Sequence, residues 1–293
     1  MPTDNDSSLA AAGQLPSRTL IGEGQVSNDI TAREEVSAMA AGMDWLQMTI
    51  LADAAPLSLV PDFLSAGELF GGEGEAAPPG WVRQLQYDRC AALAPGGYVM
   101  WSVARPSQGV HFRLNGGELS ALREAHDLAD EMLLDWVHER VRTAVAVNVT
   151  RCDLFVDWLG SGCPVEPLAR AVQDGAAVSR AFLDTRYSQG QWGPAWTVYV
   201  GRRKSGKYVR VYDKGRELAE RSGRFDGERT RLEIEFRGDY AKALFAERLS
   251  PVAVAKLVLN TAAAMVGFPV EWWEREVVAG NVGRLVVVPA DGE

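Results

Sequence analysis

At 293 residues, with 47% hydrophobic and 24% charged side chains, the chain can bury one large core or two small ones, and no apolar run is long enough to span a membrane. Three cysteines, Cys90, Cys152 and Cys163, are odd in number and lack ligand spacing, which argues against a disulfide framework or a zinc site and predicts reduced thiols. The formal net charge of −9 argues against a polyanionic partner only until its distribution is considered: residues 1–80 hold twelve acids and two bases, residues 81–293 hold 27 acids and 28 bases.

In chain order, residues 1–35 are small, polar and acidic and read as a disordered tail. Their start, MPTDNDSSLAAAGQLPS, lacks the basic residues and apolar centre of a signal peptide, so a cytoplasmic protein is expected. Met43–Leu51 predicts a first strand with Trp45 and Met48 toward the core, and Asp62–Gly80, rich in Gly, Glu and Pro, reads as an insertion loop or a short helix. Gly97–Ala104 and Gly109–Asn115 read as a hairpin. From Glu118 to Arg140 apolar residues recur at three and four, which predicts one amphipathic helix of about six turns.

Asn148–Trp158 then predicts a strand with Arg151, Asp153 and Asp157 on one side and Cys152, Leu154, Val156 and Trp158 on the other. A helix follows within Pro164–Leu183, and Thr197–Arg237 reads as two short strands, a helix and a third strand. In the second of these strands Tyr208, Arg210 and Tyr212 share one face; in the third, Arg231, Glu233, Glu235 and Arg237 alternate with Leu232, Ile234 and Phe236. Helices are predicted in Asp239–Leu249 and Pro251–Gly267, then a short strand at Arg284–Val288. Such clean alternation predicts an α+β fold: a central antiparallel β-sheet with helices packed on one face and an open charged face.

One such strand is an ordinary solvated surface, but three on one sheet pool Asp153, Asp157, Glu233 and Glu235 with two tyrosines and several arginines, the inventory of metal-assisted phosphoryl transfer. Asp153 and Asp157 stand about 13 Å apart along one strand, so they cannot share an ion, whereas an Asp and a Glu on neighbouring strands can converge on Mg²⁺ or Mn²⁺. His111, His126 and His138 read as core or surface residues. A phenol with its ordinary pKa near 10 needs cationic neighbours to attack phosphorus, and Arg210, Lys214 and Arg216 supply them to Tyr212. Tyr208, about 7 Å away on the same face, is the rival, either stacking on a base or serving as a second acceptor. Seven bases against Asp213 alone within Arg202–Arg216 predict a phosphate-binding surface. Trp192, Trp196, Trp272 and Trp273 read as core rather than base-stacking residues. No Walker A loop, dinucleotide fingerprint or nucleophile elbow occurs.

The elements GMDWLQMTI, NVTRCDLFVD, TVYVGRRKSGKYVRVYDKGRE and RTRLEIEFRGDY, in this order and spacing, resemble the Rep_trans family of rolling-circle replication initiators, over about Gly42 to Leu249. That family serves plasmids and some filamentous phages and includes relaxases of integrative elements. The resemblance implies a site-specific single-strand DNA endonuclease and strand transferase that forms a 5′-phosphotyrosine intermediate at an origin, with a divalent cation. On matching positions it implies Tyr212 as nucleophile with Lys214 and Glu217 as companions, Arg151 and Asp153 followed by Asp157 on one strand, and Arg231, Glu233 and Glu235 on another. Unlike other nucleases of this kind, the chain has no His-hydrophobic-His pair.

The expected assignment is therefore Tyr212, Lys214, Arg210 and Tyr208 for catalysis, and Asp153, Asp157, Glu233 and Glu235 for Mg²⁺ or Mn²⁺. Arg202, Arg203, Lys204, Lys207, Arg216 and Arg231 are expected on DNA, with Arg151 and Glu217 in support. The expected domains are a tail at 1–35, a nicking and strand-transfer domain at 36–250, and a C-terminal helix and tail at 251–293. Expected partners are origin DNA, single-stranded or hairpin, a host helicase and a second copy of the chain, with no membrane. A mobilisation relaxase with the same chemistry and a non-catalytic DNA-binding regulator are the alternatives.

Overall fold

A computed structural model describes residues 39–51, 75–76, 87–93, 97–128, 133–141, 146–247 and 249–279. The tail read at 1–35, most of the insertion at 62–80 and the strand read at 284–288 lie outside the described residues.

The strands are β1 (Met39–Leu51), β2 (Glu75–Ala76), β3 (Arg89–Leu93), β4 (Gly97–Trp101), β5 (Val110–Asn115), β6 (Ala146–Leu159), β7 (Val178–Ser179), β8 (Leu183–Gly190), β9 (Gly193–Val200), β10 (Lys207–Asp213), β11 (Arg229–Arg237) and β12 (Val266–Gly267). The helices are α1 (Gly116–Ala125), α2 (Leu133–Val141), α3 (Glu166–Gln173), α4 (Lys214–Ser222), α5 (Asp239–Ala246), α6 (Pro251–Met265) and α7 (Glu271–Trp273). Ten strands form one antiparallel sheet in the order β2-β3-β4-β5-β1-β6-β11-β10-β9-β8, and β12 pairs with β7 apart from it. This is the α+β architecture that the alternation predicts.

One sheet face is the core. Leu154 and Val156 of β6, Leu232 and Ile234 of β11, Val209 and Val211 of β10 and Val198 and Val200 of β9 are buried in one continuous cluster. Each such side chain contributes about 1.5–3 kcal/mol on burial. Helix α6 packs on β1, β6 and β11, α5 on β6 and β11, α1 on β1 and β5, and α3 on β8 and β9. Trp272 and Trp273 are buried in the same core, as read. Cys90, Cys152 and Cys163 are buried and form no disulfide among the described residues. No helix among the described residues is long and apolar enough to cross a membrane.

Three readings need correction. The helix read across Glu118–Arg140 is two: α1 starts on a capping box between Asn115 and Glu118 and is capped by His126, and Asp127 then turns the chain into the left-handed region at φ 50°. Hydrophobic spacing continued across the break, so periodicity alone could not register it. Trp45 does not face the core with Met48. The two are three residues apart on a strand; Leu46, Met48 and Ile50 are fully buried, leaving Trp45, Gln47 and Thr49 on the opposite, polar face. Lastly, β8 was not read as a strand: LDTRYSQG is polar and largely exposed, as suits an edge strand with a single partner, β9.

Candidate active site

The pairing register fixes which side chains meet on the polar face. Across β6, β11 and β10, Asp157 is opposite Arg231, which is opposite Tyr212; Asp153 is opposite Glu235, which is opposite Tyr208. Between these rows Glu233 is opposite Arg210, which is opposite Tyr199 of β9. The carboxylates read from β6 and β11 and the phenols of β10 therefore do share one face. The hydroxyl of Tyr212 donates to Glu233 Oε2 at 3.1 Å.

The carboxylates are not bare. Asp153, Asp157, Glu233 and Glu235 are all buried, and each is bonded to a guanidinium, as buried charge requires. Arg151 donates from Nε to Asp153 Oδ1 at 2.8 Å and from Nη2 to Oδ2 at 2.5 Å, and its Nη2 lies 3.0 Å from Glu235 Oε2. Arg237 also pairs with Glu235, and Arg210 pairs with Glu233. Arg231 donates to both oxygens of Asp157 at 2.7 and 2.8 Å, to Asp44 at 2.6 Å, and lies 3.7 Å from the Phe155 ring centroid. Asp153 and Asp157 thus join different ion-pair groups, as their separation along the strand requires. Asp153 and Glu235 do converge on one cation, the guanidinium of Arg151.

That arrangement bears on the expected Mg²⁺ or Mn²⁺. Asp157 has both oxygens on Arg231, Asp153 has both on Arg151, and among the described residues no group of three His, Cys, Asp or Glu stands close enough to hold a metal ion. The side chains as arranged do not form a metal cage. An ion could gain oxygen ligands from Asp153, Glu233 and Glu235 only if Arg151 or Arg210 gave them up.

Tyr212 is the penultimate residue of β10, and α4 begins two residues later, so Lys214 in the first turn places its ammonium 5.6 Å from the Tyr212 ring centroid while bonding Glu217 at 2.7 Å. Arg210 stands 5.7 Å from the same centroid. Burial and then the Glu233 charge push the phenol pKa well above its ordinary value, so Tyr212 rests protonated. Asp153 is likewise raised, by burial and the nearby Glu233 and Glu235, against the opposing effect of Arg151. Tyr208 is only 8% exposed and stacks on Tyr199, with centroids 5.8 Å apart and planes at 16°.

Of the residues expected on DNA, Arg202, Arg203 and Lys204 are exposed in the β9–β10 turn, with Lys207 half-buried at its end. Arg216 donates to both oxygens of Glu228 at 2.7 and 2.9 Å. Arg231 must be withdrawn from that set: it is 5% exposed and held by two carboxylates. His111 is buried beside Gln47 and Thr49, and its pKa is lowered to about 4 by burial and then by Arg113, so it is neutral. Trp196 packs against the core, and Trp192 stacks on Phe225 at 6.2 Å.

Asp44, which sequence reasoning missed, enters through a β-bulge. Met43 is opposite Leu154 and Trp45 opposite Asp153, so two residues of β1 span one step of β6 and Asp44 is turned toward Arg231. The register that creates the bulge is a tertiary property, and no signal in GMDWLQMTI marks it.

Residues 147–285 match the Rep_trans family, described as replication initiation factor. No curated protein matches the chain. Among solved structures the fold is similar to the rolling circle replication initiator protein from Geobacillus stearothermophilus, at a TM-score of 0.58 and 19% identity over 86% of this chain and 93% of that one. The segment from 147 to 285, with Asp153, Tyr212 and Glu233 inside it, is thus similar to the Rep_trans family of replication initiation factors, in agreement with its motifs.

Proposed function

We propose that this protein starts rolling-circle replication by cutting one DNA strand at an origin and holding the 5′ end on Tyr212. The observation that carries the reading is the hydrogen bond from the Tyr212 hydroxyl to buried Glu233, with Arg210 and Lys214 flanking the ring. Glu233 is placed to take the phenolic proton as the oxygen forms its bond to phosphorus. The bond from phosphorus to the 3′ oxygen breaks, that oxygen leaves as a 3′-hydroxyl after taking a proton from solvent water, and the 5′-phosphate stays esterified to Tyr212. Since a phenolate is a good leaving group, a later 3′-hydroxyl can reverse the step and reseal the strand. Arg210 and Lys214 offset the charge that develops on the phosphate oxygens.

The test is incubation of the protein with Mn²⁺ and an oligonucleotide carrying its own origin. The expected product is a covalent, SDS-resistant adduct that Tyr212→Phe abolishes. An adduct surviving in the Phe variant would move the nucleophile elsewhere, with Tyr208 next in line. Absence of adduct from wild type on a supercoiled replicon carrying that origin would favour a non-catalytic DNA-binding regulator. Repeating the reaction with Mg²⁺ and with a chelator tests the divalent-cation requirement. A relaxase would perform the same chemistry; a transfer operon beside the gene would favour it over an initiator.

A further inference from the structure

The polar face does not end at the candidate site. Moving away from Tyr212, it crosses β6 onto β1, β5 and β4, where four side chains form a continuous alternation of cation and ring. The Arg151 guanidinium, already bonded to Asp153, lies 4.1 Å from the centroid of Trp45. Arg113 lies 4.8 Å from Trp45 on one side and 5.7 Å from Tyr98 on the other. The register shows why they meet: Tyr98 is opposite Arg113, Arg113 opposite Gln47, and Gln47 opposite Arg151. Trp45, two residues before Gln47 on the same face, lies diagonally between the two arginines. The ladder row runs six residues along the strands from the row of Asp157, Arg231 and Tyr212, so at about 3.3 Å per residue and about 4.8 Å per strand it starts roughly 22 Å from Tyr212 and ends roughly 31 Å from it.

Two features separate the ladder from ordinary surface packing. Whereas Arg151, Arg210, Arg231 and Arg237 each hold a carboxylate, Arg113 bonds no carboxylate among the described residues, so its charge is uncompensated within them. Arg113 also lies beside two rings, and the planar fork of a guanidinium suits bidentate bonding to a phosphate. Trp45, Arg113 and Tyr98 are each half-buried rather than sealed.

We infer that the ladder Arg151, Trp45, Arg113 and Tyr98 is a second DNA subsite, one that holds unpaired nucleotides of the cut strand several positions away from the cleaved bond, with a phosphate on Arg113 and a base against Tyr98 or Trp45. This rests on the reading of the protein as an origin-nicking initiator. The ligand is single-stranded because bases in a duplex already stack on one another and cannot offer a face to a side-chain ring.

The experiment measures binding of a fluorescein-labelled single-stranded oligothymidylate to the full chain carrying Tyr212→Phe, which takes cleavage out of the measurement. Adding Arg113→Gln is expected to weaken binding about tenfold at 0.1 M salt and to reduce the slope of log K against log salt by about 0.7, the loss of one phosphate contact. Tyr98→Ala is expected to weaken binding by a similar factor with the slope unchanged, and Tyr98→Phe to restore it, since the ring and not the hydroxyl is used. Melting curves establish that each variant is folded, and the Tyr98 pair carries the test if Arg113→Gln is not. Unchanged affinity and slope in Arg113→Gln, no difference between Ala and Phe at 98, or an equal loss on a duplex of the same length would overturn the subsite. Failure of the Tyr212 adduct would leave these binding measurements intact, so the two ideas fall separately.

Discussion

Replacing Arg231 by methionine asks whether this arginine holds the sheet together or waits for DNA. Its guanidinium makes two bonds to Asp157 and one to Asp44 and rests on Phe155, while Asp157 is 1% exposed. Methionine refills much of the volume, so the cavity contribution is small and the main cost is a carboxylate left buried without its counter-charge, about 3–5 kcal/mol. At about 2–4 °C per kcal/mol for a chain of this size, the melting temperature should fall by roughly 10 °C, read by circular dichroism at pH 7. The double variant Arg231→Met with Asp157→Leu should recover most of that loss, because Asp44, 26% exposed, can be hydrated where it stands. A melting temperature within about 2 °C of wild type for the single variant, or a loss of DNA affinity at unchanged stability, would refute the argument.

Two further outcomes follow from the same face. The His111 pKa falls from 6.5 unfolded to about 4 folded, so below pH 6.5 the unfolded chain binds the extra proton; stability is fully present above that pH and is lost as pH falls toward 4, by about 3 kcal/mol in all. His111→Gln should therefore lose less stability than wild type between pH 7 and pH 4.5 in urea titrations, and parallel losses would show that His111 does not carry this dependence. Gly215 sits in the first turn of α4, where an added Cβ would run into the Gly227 carbonyl oxygen and lie 3.0 Å from the Arg229 nitrogen. Gly215→Ala should cost about 1–3 kcal/mol and reduce the Tyr212 adduct by displacing Lys214, whereas wild-type melting and adduct yield would show that the turn yields freely.

Period-two alternation in NVTRCDLFVDW, KYVRVYD and RTRLEIEFR was sufficient to place Asp153, Asp157, Tyr212, Glu233 and Glu235 on polar strand faces, and the antiparallel sheet brings those faces together. What alternation cannot supply is the partner of each charge. Arg151 and Arg237 lie two residues along the same strands from Asp153 and Glu235, a spacing visible in the sequence, but Asp44 reaches Arg231 across 187 positions through a bulge. Arg231 was expected on DNA, but alternation does not show that Asp157 and Asp44 hold its guanidinium against the Phe155 ring. Helix periodicity failed at Asp127 for a related reason, since backbone dihedrals leave no mark on hydrophobic spacing.

The pairing of Arg210 with Glu233, and of Glu233 with the Tyr212 hydroxyl, makes the resting centre electrically self-satisfied. On the proposed function, a DNA phosphate that drew Arg210 toward itself would leave Glu233 with a surplus negative charge beside the phenol, strengthening it as a base just as the electrophile arrived. Without a strand in place, the same guanidinium quiets that carboxylate. If Tyr212 is the nucleophile as proposed, docking and arming are one event, and the salt bridge keeps the hydroxyl quiet until a strand is in place.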